Sequence, residues 1–253
     1  LTGTTHHPYW VPERYGFREF VKNDPERNRY LNAVHYLDQF TRNLIAQYKQ
    51  AGQYENTVFV IVGDHGESLG EHSRMQHNAS LYQEVMQVPL LIHAPGLNLR
   101  GTTGLASQLD ILPSTLQLLG FQWQGNLEGM ALAGTGQQRE TAVAGCWYDN
   151  WCLARTDGRH KYIYNFHQKA EELYDLQQDP QERTNIAVEH PAQVKQWRDQ
   201  LLDRHQQQLL RWHGYLAKQN EDYWDNRGET LGTPGKLLQL AQDDPRQQQA
   251  AQQ

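Results

Sequence analysis

The run Val58-Phe59-Val60-Ile61-Val62, closed by Gly63-Asp64-His65-Gly66, constrains the fold of this chain more than any other segment. It is short, continuous and rich in β-branched residues, which predicts a strand buried on both faces of a parallel sheet. A second run, Val88-Pro89-Leu90-Leu91-Ile92, leads into His93-Ala94-Pro95-Gly96, where Pro and Gly mark an exit turn. Ahead of the first strand, Asp24-Pro25-Glu26 predicts a helix start, with an acid at the N-cap, Pro at the first helical position and Glu in the first turn. Leu31, Val34, Leu37, Leu44, Ile45 and Tyr48 then recur at helical spacing as far as Gly52, a C-cap candidate, and predict a face packed on a core. Asp110 to Gly120 reads as another capped helix, with Pro113 tolerated in its first turn. Alternating helices and buried strands predict an α/β sandwich.

Beyond about residue 135 the pattern changes. Lys161-Tyr162-Ile163-Tyr164 and Glu172-Leu173-Tyr174-Asp175-Leu176 predict paired strands joined by a polar turn. Trp197, Leu201, Leu209 and Trp212 give the stretch from Pro191 to about Leu216 a helical face, and the Gln-rich end, Gln247 to Gln253, offers little to bury. The expected organisation is therefore an α/β core over residues 1–135, a small antiparallel subdomain over 136–190, and a helix with a disordered tail over 191–253.

The net charge of -6, with Lys and Arg scattered, gives no basic stripe of the kind that tracks a phosphate backbone, so nucleic acid is not an expected partner. No apolar run approaches the roughly 18 residues needed to span a bilayer, and the start, Leu1-Thr2-Gly3-Thr4-Thr5, has neither Met nor signal-peptide character. Any targeting or anchoring segment is expected upstream. Cys146 and Cys152 are wrongly spaced for a zinc ribbon or a redox pair; spacing leaves open a local disulfide or two free thiols.

Gly63-Asp64-His65-Gly66-Glu67 sits where a sheet strand ends, the place at which open α/β sheets bind ligands. Asp64 offers a hard oxygen and His65 a nitrogen, a pair compatible with a divalent cation. The alternative is a turn in which Asp64 caps a following helix and His65 packs as a bystander. His6-His7-Pro8 places two imidazoles beside a rigid turn, able to act as acid, base or anion contact, or simply as structural donors. His72 and His77 form a third group, in which the plainer reading has His72 or Arg74 decorate a solvent loop.

Together these segments resemble the C-terminal half of the sulfatase family, which belongs to the alkaline-phosphatase-like superfamily and includes membrane-anchored phospho-transferases. The resemblance runs from the apolar strand through Gly-Asp-His-Gly-Glu, Leu69-Gly70-Glu71-His72, Leu81-Tyr82-Gln83-Glu84 and Val88 to Ile92. His6-His7-Pro8 is similar to the family's His-x-Pro element, and Leu173-Tyr174-Asp175-Leu176 with Asp179-Pro180, Glu182 and Asn185 to its C-terminal signature. The similarity implies an alkaline-phosphatase-like α/β/α sandwich with a mostly parallel sheet. It implies that Asp64 and His65 bind one divalent metal ion (Ca, Mn, Mg or Zn), and that His6 and His77 contact the transferred group or protonate the leaving oxygen. Glu67 and Glu71 fit the motif without an assigned role.

Family members carry their nucleophile in the N-terminal half, as a formylglycine made in Cys-x-Pro-x-Arg or as a Thr. Neither Cys146 nor Cys152 lies in such a motif. The chain is therefore expected to be part of a longer polypeptide whose missing N-terminal half supplies the nucleophile, with the membrane reached only through that half. The resemblance implies hydrolysis of a sulfate ester, or transfer of a phosphoethanolamine or phosphoglycerol head group in the cell envelope; a non-catalytic remnant that binds anions or a partner is the third reading. It also implies a periplasmic or extracellular location, with which a Cys146–Cys152 disulfide would agree.

Overall fold

In the computed structural model, residues 3–77, 80–97, 99, 104–132, 139–146, 152–166 and 170–219 are described, with side chains of the last helix through 212. The chain divides into two compact units, one of Leu1–His77, Gln87–Thr102 and Gln108–Gly136, the other of Asn78–Met86, Thr103–Ser107 and Gln137–Gln253. The Gln-rich end lies outside the described residues. No helix among the described residues is long and apolar enough to cross a membrane.

In the first unit, helix α1 (Pro25–Gln50) begins at the predicted position because the Asp24 side chain accepts the Arg27 N–H and Pro25 needs no partner of its own. Gly52, at φ 66, takes the left-handed conformation just beyond its end, where the Gly52 N–H reaches the Lys49 carbonyl. The predicted face is only partly covered, Leu31, Leu37 and Ile45 being half-buried. Asn28, Asn32 and Ala33 are buried, whereas Val34, Leu44 and Tyr48 stay exposed. The reason is polar packing: the Asn28 amide oxygen accepts the Phe20 and Val21 N–H groups, and Asn32 pairs with both backbone groups of Arg18. These bonds lay the preceding segment along that side of the helix.

Strand β1 (Phe59–Val62) forms from the run that predicted it, and so does β4 (Leu90–His93). Their pairing corrects the expectation: they run antiparallel to one another, from Phe59 opposite His93 to Val62 opposite Leu90. Phe59 is buried, while Ile61, Val62 and Leu91 are exposed. An apolar run reports that both faces of a strand are apolar and says nothing of its neighbours. Between them lie a two-residue pair, β2 (Ser68–Leu69) and β3 (Met75–Gln76), and the short helix α2 (Gln83–Met86), which belongs to the second unit. Helix α3 (Ile111–Leu118) follows Asp110, but Asp110 does not cap it; its carboxylate accepts the Met130 N–H instead. Gly129 is required there, since a β-carbon would lie 1.8 Å from the Leu109 carbonyl oxygen.

The second unit is an antiparallel sheet in the order β5 (Ala142–Gly145), β6 (Cys152–Thr156), β7 (His160–Asn165), β8 (Glu172–Asp175), with helix α4 (Pro191–Gln219). The predicted strands pair as β7 and β8, Tyr162 opposite Leu173. Leu153, Tyr162, Tyr164 and Leu173 pack with Val194, Trp197 and Leu201 of α4. Alternation in the strands sends Ala154, Ile163 and Tyr174 into a second cluster with Leu81. Cys146 and Cys152 form a disulfide, which resolves the alternatives the spacing left open. Within the core, Lys161 and Glu182 make a buried ion pair at 2.8 Å, and Glu182 also accepts the Gln83 N–H.

Candidate functional site

The turn after β1 carries the first two candidates. Gln108 Nε2 donates to the carbonyls of Gly63 and Asp64 at 2.9 and 2.6 Å, fixing the backbone there. The chain continues into β2, not a helix, so Asp64 has no helix to cap. Its side chain is 77 % exposed, and His65 Nε2 lies 3.8 Å from Asp64 Oδ2. Nδ1 of His65 donates to the Gly66 carbonyl at 2.9 Å, which in the neutral ring leaves Nε2 with the lone pair.

Three histidines from distant parts of the sequence converge in this unit. The rings of His65 and His77 stack with centroids 3.8 Å apart, and the His6 ring meets His77 edge-on at 6.0 Å. His6 Nδ1 donates to the His7 carbonyl at 2.8 Å, so His6 and His65 both keep Nε2 as the acceptor nitrogen. His7 turns elsewhere, 3.8 Å from Glu26 and edge-on to Tyr9. His72 sits in the turn Glu71–Ser73 with a left-handed backbone. The His77 side chain is mostly buried and lies 3.2 Å from Glu67.

Sequence reasoning left Glu67 and Glu71 without roles, and the structure separates them. Glu71 binds Arg27 at 2.6 Å and accepts the Leu69 N–H. Burial works against its ionisation, but its backbone N–H partners and the Arg27 guanidinium outweigh that and hold its carboxyl below the usual range. Glu67 is instead buried beside His77 and Tyr9. Burial, followed by the Glu67 carboxylate, pushes the Tyr9 hydroxyl up to about 12. Gln108 carried no sequence signal, since its contact depends on a fold that brings residues 44 and 45 positions apart together.

As a metal site the described residues are incomplete. No group of three or more His, Cys, Asp or Glu side chains among them is arranged to hold an ion. Asp64 and His65 can supply two donors, where divalent cations take about four to eight. The exposed Asp64 carboxylate and the lone pair on His65 Nε2 suit that partial role.

Residues 1–121 match the sulfatase family. The Delta 4,5-hexuronate-2-O-sulfatase of Bacteroides thetaiotaomicron is 30 % identical over 183 residues, 66 % of this chain and 36 % of that protein. A lipoteichoic acid synthase-like protein of Bacillus subtilis is 29 % identical over 140 residues, 51 % of this chain and 23 % of its own length. The chain thus spans about a third or less of these curated relatives. The crystal structure of a phosphonate monoester hydrolase from Agrobacterium radiobacter aligns with a TM-score of 0.60 and 22 % identity, over 72 % of this chain and 41 % of that one. That likeness supports the alkaline-phosphatase-like α/β fold.

Proposed function

The chain belongs to the sulfatase family, and from that premise we propose that it forms part of an enzyme that hydrolyses sulfate esters. The convergence of His6, His65 and His77 carries the proposal, because it gathers imidazoles from three separated motifs beside the Asp64 carboxylate. In this reading Asp64 and His65 are two ligands of a divalent cation, which when bound neutralises charge on the ester oxygens. His6 and His77 face the ester. As the nucleophile of the longer polypeptide bonds to sulfur and the bond between sulfur and the alcohol oxygen breaks, one of them, in its doubly protonated form, hands its Nε2 proton to the departing oxygen and is left as the neutral Nδ1-protonated ring.

The nucleophile and the remaining ligands come from outside these residues, in the longer polypeptide that the relatives' lengths suggest. Neither cysteine is available as its precursor, since both are held in the disulfide. The same disulfide supports an oxidising location, periplasmic or extracellular. Similarity to a lipoteichoic acid synthase-like protein favours a second reading, transfer of a phospho-head group to an envelope glycan.

The test is metal content and turnover of 4-nitrophenyl sulfate in the full-length protein. Asp64→Ala is expected to lower both, and His77→Ala to lower kcat by roughly 10²–10⁴ with metal retained. Normal metal content and turnover in Asp64→Ala would remove Asp64 from the site. Head-group release from phospholipid vesicles without sulfate release would replace the first reading by the second.

A further inference from the structure

The Glu67 carboxylate is buried with no part in the reaction as proposed. Its side chain is 5 % exposed, and a carboxylate taken out of water costs several kcal/mol unless it is well partnered. Oε2 lies 3.2 Å from His77 Nδ1. Oε1 and the Tyr9 hydroxyl are both buried with no well-formed hydrogen bond among the described residues, and the two side chains lie close enough for the carboxylate to raise the hydroxyl. Tyr9 reaches this position on a left-handed backbone, φ 61, with its ring wedged edge-on to His7 and Tyr30. The carboxylate oxygen and the ring nitrogen are within hydrogen-bond distance, a contact in which Nδ1 of His77 can donate to Glu67. One face of the same ring is covered by the His65 stack at 3.8 Å.

We propose that Glu67 is a positioning residue that holds His77 with its proton on Nδ1, so that Nε2 is the nitrogen presented to the substrate. The two constraints are complementary. Glu67 sets which ring nitrogen is occupied and how the ring is rotated in its plane, and the His65 ring sets the plane itself. An imidazole oriented in this way acts on the ester through one nitrogen in one direction, as carboxylate-oriented histidines do elsewhere. The proposal rests on the reading of His77 as an ester-facing residue for its consequence, but not for its test.

The test is the tautomer of His77, read from long-range ¹H–¹⁵N correlations of the full chain near pH 8.5, about two units above the ordinary imidazole value of ~6.5. The His77 signals are assigned by difference against His77→Gln. The expected wild-type result is a protonated Nδ1 and a bare Nε2. Glu67→Met, which keeps bulk and removes the acceptor, is expected to give the Nε2-protonated form or a mixture. Tyr9→Phe is expected to leave the Nδ1-protonated form in place. In turnover assays of the full-length enzyme, Glu67→Met is expected to lower kcat by about 10- to 100-fold with little change in KM.

A wild-type His77 protonated on Nε2 overturns the proposal even if the variant fails to fold, and so does an unchanged tautomer in Glu67→Met. If the wild-type spectrum shows the Nδ1-protonated ring while His77→Ala retains full turnover, the positioning contact stands and the reading of the site falls.

Discussion

The two units are held together by different means. The second buries an apolar core on both faces of its sheet: Tyr162, Tyr164 and Leu173 are shielded almost completely, and Trp197 and Leu201 cover one side. In the first, the residues buried along α1 are Asn28, Asn32 and Ala33, and hydrogen bonds from the two asparagines, with ring contacts such as Tyr9–Tyr30 and Tyr15–Tyr36, hold the preceding segment to the helix. Its large apolar side chains, among them Phe40, Leu44, Leu91, Leu112 and Phe121, remain on the surface. The first unit also holds the histidine cluster, so the unit with the candidate site is the one with the smaller apolar core of its own.

Truncations should reveal this contrast as a difference in size. Leu173→Ala opens a cavity in a closed core and is expected to cost about 3 kcal/mol in chemical denaturation. Leu44→Ala removes an exposed side chain and should stay within about 0.5 kcal/mol. Equal losses at both positions would mean that Leu44 is covered in solution, and would end the comparison as drawn.

Asn28→Ala probes the polar means of the first unit. The amide accepts from Phe20 and Val21 and donates to the Val21 and Asp24 carbonyls, so its loss leaves several backbone groups without that partner. A loss of about 2 kcal/mol is expected, with faster proteolysis around residues 18–23. Asn28→Asp keeps the acceptor and should recover part of the stability, which a purely steric role would not predict.

These contrasts follow what the sequence could and could not disclose. The start of α1 was legible because capping is local: Asp24, Pro25 and Glu26 lie within one turn of one another. Its buried face was not, because Asn28 and Asn32 are buried through partners on a preceding segment and hydropathy records them as polar. β7 was legible in Tyr-Ile-Tyr, whereas β5 and β6 are built from Ala142, Ala144, Gly145, Cys152 and Ala154, small residues with little strand signature. At the candidate site, short motifs single out His6, Asp64 and His65, whereas His77 is singled out as a site residue only through the family resemblance. Glu67 lay within the same motif, but its contact with His77 depends on how the intervening turn folds.

A further small effect concerns pH and the Arg27–Glu71 pair, another polar tie within the first unit. Glu71 has a folded pKa below its ordinary 4.5, so its contribution is complete above that value and is lost as pH falls through the lower, folded one. Both side chains are about a third exposed, which limits the pair to about 0.5–1 kcal/mol. Glu71→Gln should therefore flatten the acid limb of a stability profile measured from pH 6 down to about 2 and lower the plateau by that small amount. If the wild-type and variant profiles stayed parallel across this range, the pair would not be formed in solution, and the polar tie between α1 and the turn after β2 would have to be sought elsewhere.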